Sequence, residues 1–169
     1  RALKAPGVVA IFTGADLAEA KVGGLPCGWL IHSKDGSPMK EPPHPVLAQG
    51  KARHVGDAVA MVVAETYLQA RDAGEALVVD YEALPSITDT ASADQSKVSV
   101  HDDVAGNVCY DWGHGSKDAV DAAFAKAAHV TKLSFLNNRL IPNAMEPRAA
   151  NAHYTRHDDA YTLYVANQN

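Results

Sequence analysis

Excess positive charge, closely spaced cysteines and long apolar runs are all missing from this chain. Its 169 residues carry 15 Lys and Arg against 20 Asp and Glu, a formal net charge of -5. That balance gives no electrostatic reason to expect nucleic acid or an anionic membrane as a partner. No apolar stretch approaches the roughly 18 residues of a spanning helix, so no membrane span is expected. The chain begins Arg-Ala-Leu-Lys-Ala-Pro-Gly, which has neither the pattern of a signal peptide nor a starting methionine. There are two cysteines, Cys27 and Cys109, far apart and in no CxxC pair. They supply no iron–sulfur or zinc site of their own. They read as free thiols of a reducing cytoplasm, with a single long-range disulfide as the alternative. Phosphate-binding loops of the GxGxxG or GxxxxGK[ST] kind are absent, as is the GxSxG nucleophile elbow.

What is present is a hydrophobic fraction of 47%, enough for a globular core, at a length suiting one domain or two small ones. Residues 7–13 (GVVAIFT) form a short β run between Pro6-Gly7 and Gly14. Residues 21–47 concentrate proline and glycine and read as a long irregular excursion. Residues 58–64 (AVAMVVA) are apolar on both faces, which suits a strand covered on both sides. Thr66 and Gln69 have capping-box spacing and start a helix, with Leu68, Ala73 and Leu77 near one face. Residues 77–81 (LVVDY) predict the next strand, completing a compact α/β unit.

Residues 82–106 are polar and carry the linker. Residues 106–112 predict a brief strand before a Gly113-His114-Gly115 turn. Ser116 is a suitable N-cap with Asp118 in the first turn. Val120, Phe124 and Ala127 then mark a buried helix face. Residues 130–136 and 149–154 predict strands. Asp158-Asp159 turns into 161–165, where alternation gives a two-faced strand.

Eight histidines invite a metal reading. His153 and His157 are four apart, but HYTRH lacks the glutamate of a zincin helix and sits on a strand, where such positions do not converge. His44 and His54 read as solvated loop residues, and turn chemistry explains the glycines around His114. Residues 137–169 hold the most suggestive polar groups: Arg139, Glu146 and Arg148 around Pro147, then Gln168 at the end of the last strand. A surface or interdomain salt bridge accounts for Glu146 and Arg148 as well as a binding role does. Gln168 is equally readable as a plain exposed glutamine.

Three stretches together resemble a known family. The run HPVLAQGKARHVGDAVAMVVAETYLQARDAGEALVVDYEALPSITD is similar to the hammerhead-type α/β domain of molybdenum hydroxylase large subunits. These are the xanthine dehydrogenase, aldehyde oxidase and aerobic carbon monoxide dehydrogenase family. GNVCYDWGHGSKDAVDAAFAKAAHV and NNRLIPNAMEPRAANAHY resemble the linker and the start of the molybdopterin-binding region, in the same order.

The resemblance implies an α/β (α+β) fold. A hammerhead-type domain is expected over residues 1–90, a linker over 91–115 and the start of a molybdopterin-binding domain over 116–169. It implies oxidation of an aldehyde, an N-heterocycle or carbon monoxide, with water as oxygen source. The implied cofactor is molybdenum–molybdopterin, in the cytosine dinucleotide form of many bacterial members. Iron–sulfur clusters and FAD on partner subunits or domains would take the electrons. The MEPRA run (145–149) is closer to the bacterial multi-subunit enzymes. Gln168 matches the glutamine that approaches molybdenum and donates to an oxo ligand, although Asn167 stands where Ser or Thr is usual. Glu146 and Arg148 match the pattern before it and are expected to support the site. No catalytic residue is expected within the chain, because the family's catalytic glutamate lies near its C-terminus. The sequence is therefore expected to be a piece of a larger subunit, a truncated form or a split-gene product, partnered by the remainder of the subunit. A non-catalytic interaction or assembly module retaining the hammerhead fold is the alternative.

Overall fold

The structure is a computed structural model and describes residues 1–137, 140 and 143–166. Two compact units emerge, Arg1–Ser116 and Lys117–Asn169.

In the first unit β1 (Val8–Thr13) pairs antiparallel with β2 (Ala60–Ala64), with a bulge between Val8 and Ala10. α1 (Gly14–Glu19) follows β1 directly. A capping box starts it: the Thr13 N–H and hydroxyl both donate to Asp16 Oδ2 at 2.6 Å. Those bonds, the hydroxyl's foremost, hold the Asp16 carboxyl below its ordinary pKa. Gly14 is buried against the backbone carbonyl of Ala48.

α2 (Tyr67–Glu75) begins as the sequence predicts. Thr66 Oγ1 accepts from Gln69 N at 3.3 Å. The reciprocal half differs, because the Thr66 hydroxyl donates to Gln69 Oε1 at 3.0 Å. α2 packs on β2, and Ala73 is its fully buried contact. The small side chain lets helix and sheet approach closely.

Several expectations are corrected. β2 is not covered on both sides: Ala60, Val62 and Ala64 are half-buried while Met61 and Val63 are exposed. A two-stranded sheet with one helix on it has a single inner face. Leu68 is exposed, because it lies off the α2 face that Ala73 buries. Residues 77–81 form no strand. β-branched residues favour an extended chain, but a strand requires an edge to pair with, and the two-stranded sheet makes no pairing to them. Residues 106–112 likewise form no strand. They lie along the 33–40 loop through Lys40 N to Cys109 O (2.9 Å), Lys34 N to Asp111 O (2.8 Å) and Asp111 N to Ser33 Oγ (3.1 Å).

Asn107 organises the polar segment before it. At φ 54° its side chain accepts from Val100 N and donates to the carbonyls of Ala93 and Val98, all at 2.8–2.9 Å. Asparagine tolerates this left-handed conformation better than most residues.

The second unit holds α3 (Lys117–Ala125) and a hairpin of β3 (Ala149–Thr155) and β4 (Ala160–Ala166). Asp118 lies in the first turn of α3, as predicted. The turn at Asp158-Asp159 is also as predicted, with Asp159 at φ 47°. The Val120–Phe124 face is not buried: Val120 is 51% exposed and Phe124 59%. Residues 130–136 form no strand. β4 is amphipathic by alternation, yet both its faces are open.

Candidate functional site

Of the polar residues singled out in the sequence, the described ones are Glu146 and Arg148, which lie next to the hairpin. Ala149 pairs with Ala166, Ala150 with Val165, and the register continues without interruption to Thr155 and Ala160. One end of the hairpin is therefore the turn, and the other is where β3 begins and β4 reaches Ala166. Glu146-Pro147-Arg148 enters at that open end, immediately before Ala149.

The turn end is fastened by side chains. Tyr154 and Tyr161 are cross-strand partners with ring centroids 4.7 Å apart, a contact that stabilises a pair beyond simple burial. Tyr154 Oη donates to Asp159 Oδ1 at 2.8 Å. Accepting that bond, Asp159 pushes the Tyr154 phenol pKa up. These contacts fix the register that sets which residues stand at the open end.

Glu146 and Arg148 are both exposed, and among the described residues neither forms an ion pair. Arg139 and Gln168 lie outside the described residues. His153 sits on β3 opposite Thr162 and His157 in the turn. No group of three or more His, Cys, Asp or Glu among the described residues is placed to hold a metal ion. Cys27 is a free thiol at the surface, and Cys109 is free and half-buried. No helix among them is long and apolar enough to cross a membrane.

Residues 1–85 match the a/b hammerhead domain of aldehyde oxidase and xanthine dehydrogenase, and residues 100–169 match the molybdopterin cofactor-binding domain. The chain belongs to the aldehyde oxidase and xanthine dehydrogenase family.

Its relatives are molybdenum hydroxylase large subunits. It is 29% identical over 163 residues to the nicotine 6-hydroxylase large subunit of Paenarthrobacter nicotinovorans, covering 96% of this chain and 19% of that one. It is 31% identical to the carbon monoxide dehydrogenase large chain of Afipia carboxidovorans, over 83% of this chain and 18% of the relative. Among solved structures, quinoline 2-oxidoreductase from Pseudomonas putida 86 superposes with a TM-score of 0.78 at 32% identity. That match takes in 99% of this chain and 20% of the other. The chain thus spans about one fifth of the length of these relatives. The α/β fold of this family, a hammerhead region followed by a molybdopterin cofactor-binding region, is the one the sequence implied.

The described residues do not by themselves fit an enclosed cofactor. Glu146 and Arg148 are open to solvent, and the hairpin faces are bare. The described part of the chain offers polar groups at one end of the hairpin.

Proposed function

We propose that this chain is part of the large subunit of a molybdenum-dependent hydroxylase. The whole enzyme inserts oxygen from water into a C–H bond of a small molecule, RH + H2O giving ROH with two electrons and two protons released. The carrying observation is the order of two adjoining regions, hammerhead over 1–85 and molybdopterin cofactor-binding over 100–169. N-heterocycles are one candidate substrate class, because relatives named for nicotine and quinoline match across nearly the whole chain, as does a carbon monoxide dehydrogenase large chain. An aldehyde, or carbon monoxide oxidised to carbon dioxide, completes the set of candidates.

The bound group is the molybdenum–molybdopterin cofactor in its cytosine dinucleotide form. Electrons pass to iron–sulfur and FAD groups on partner subunits or domains, as the relatives' names as subunits and chains of complexes favour. The enzyme is placed in the cytoplasm, in keeping with the free thiols Cys27 and Cys109. The hammerhead-type domain is placed at residues 1–90, the linker at 91–115 and the molybdopterin region from 116. The division of the chain into units at Ser116 and Lys117 supports that reading.

Within this chain Gln168 is the residue assigned to the cofactor. A side-chain amide is a neutral donor that adds no charge beside an anionic centre. Glu146 and Arg148 are positioning residues, standing at the end of the hairpin where β4 reaches Ala166. No catalytic residue is assigned here.

The test uses the complete complex, purified with its iron–sulfur and flavin groups. About one molybdenum per large subunit is expected, with oxygen-18 from labelled water appearing in the oxidised N-heterocycle. A fully assembled complex that lacks molybdenum and oxidises none of the candidate substrates would sink the proposal.

A further inference from the structure

The first unit contains a cleft of about 280 Å³ that the family assignment does not use. Three separate segments build it. The loop at 42–48 supplies one wall, stiffened by Pro42, Pro43 and Pro45, whose rings fix the backbone. The turn from Arg53 to Asp57 supplies the second, and His101 comes from the polar segment further along the chain.

The cleft is held in shape by named bonds. Ala48 N donates to Ala58 O at 2.7 Å, and Arg53 N to Asp57 Oδ2 at 2.9 Å. Asp57 N donates to His54 O at 3.2 Å, closing the turn, with Gly56 at φ 91°. Arg53 Nε donates to Val100 O at 3.2 Å, which brings His101 alongside. Asp102, the neighbouring carboxylate that would oppose an anion, is paired with Lys51 at 2.9 Å.

The lining carries both kinds of hydrogen-bonding group. Arg53 is a permanent cation with five donors, and the carbonyls of Val100 and Lys51 engage Nε and Nη1. His44 and His101 each bring an imidazole N–H. His54 Nδ1 lies 3.2 Å from Val55 O, and a carbonyl can only accept, so Nδ1 donates there. Asp57 is an acceptor as well. A fully deprotonated oxyanion such as sulfate offers acceptors alone and would meet Asp57 unfavourably. Hydrogen phosphate offers acceptors and an O–H donor together.

We propose that the His44–His54–His101–Arg53–Asp57 cleft is a binding site for hydrogen phosphate, free or as the terminal group of a small ester. Arg53, His44 and His101 donate to its oxygens, and the Asp57 carboxylate accepts a hydrogen bond from its O–H. The cleft volume lies at the small end of ligand pockets, about 300 Å³ and upward, which leaves room for a phosphate together with a small ester group.

The experiment is equilibrium dialysis of the complete protein against radiolabelled inorganic phosphate at constant ionic strength. One saturable site per chain is expected. Sulfate should compete at least about tenfold more weakly, the size of a single misplaced polar contact. Asp57→Asn should narrow that gap while keeping an oxygen for the Arg53 N–H. The double variant His44→Gln/His101→Gln should bind phosphate at least about tenfold more weakly with an unchanged circular dichroism spectrum. Competition by glycerol phosphate separates the sources: tighter binding identifies an ester as the ligand, weaker binding free phosphate. No saturable phosphate binding by the parent below about 10 mM, or sulfate competing as well as phosphate, would overturn the assignment. Undiminished affinity in a folded double variant would do the same.

Discussion

Lys51 Nζ stands 3.0 and 2.9 Å from the two carboxylate oxygens of Asp102, a contact between residues 51 positions apart. With Arg53 Nε on Val100 O it straps the 98–107 segment to the loop after residue 50. Both side chains are exposed, so the pair adds little to global stability at neutral pH. Its consequence is local. The hydrogen bond and charge of Lys51, with smaller contributions from Arg53 and His101, hold the Asp102 carboxyl below its ordinary pKa. A depressed folded-state value means the stabilisation is complete above the ordinary carboxylate value of about 3.9 and fades as pH falls through the lowered one. Hydrogen exchange of the 98–107 amides, corrected for intrinsic rates, should therefore accelerate on acidification below about pH 4. Lys51→Met should flatten that dependence. An identical acid profile in the variant would show that the strap does not hold the segment.

Gly14 is expected to be intolerant of any side chain. An added Cβ would run into the Ala48 carbonyl, and Ala48 is itself tied to Ala58 at 2.7 Å. Backbone cannot give way as a flexible side-chain end can, so Gly14→Ala should cost about 1–3 kcal/mol. Gly28 faces open space, and Gly28→Ala should stay within about 0.5 kcal/mol. Denaturant midpoints of the two variants test the contrast, and equal effects would remove Ala48 as the cause.

Phe124 is a case where helical spacing misleads. Val120 and Phe124 do share one side of α3, but the ring is 59% exposed. Truncating a side chain that is already wet forfeits little burial, so Phe124→Ala in this chain should cost less than about 1 kcal/mol. A loss of about 3–5 kcal/mol, the value for a core phenylalanine, would show the face to be covered. Urea unfolding followed by circular dichroism decides between them.

Local chemistry was the legible part of the sequence. Thr66 and Gln69 start α2, and Asp158-Asp159 turns β3 into β4, because each depends on residues a few positions apart. The Thr13–Asp16 cap uses the same spacing with an aspartate and was readable by the same rule. Partnership was not legible. The apolar runs at 77–81 and 130–136 have strand composition, yet strands form by pairing and the described sheets do not pair with them. The site divides similarly. Glu146 and Arg148 could be picked out as a polar rim, but that they stand at the open end of the hairpin required the Ala149–Ala166 register. His44 and His54 read singly as solvated loop residues and His101 drew no reading, because nothing local shows three segments closing on one cleft.

Gln168 carries the sharpest prediction for the complete enzyme. β3 and β4 pair through to Ala149 and Ala166, so the hairpin is secured up to the point where the chain continues toward Gln168. Neither its register nor the Tyr154–Tyr161 contact depends on that side chain. Gln168→Ala should therefore leave folding and molybdenum content near normal. If the amide donates to an oxo ligand whose charge grows during reaction, losing it should lower kcat by about tenfold or more, with a smaller change in KM. Turnover within about twofold of the parent, at equal molybdenum content, is too small for a lost transition-state donor and would argue against a contact at the metal. A fall in molybdenum content with normal turnover per metal would instead make Gln168 a retention contact for the cofactor.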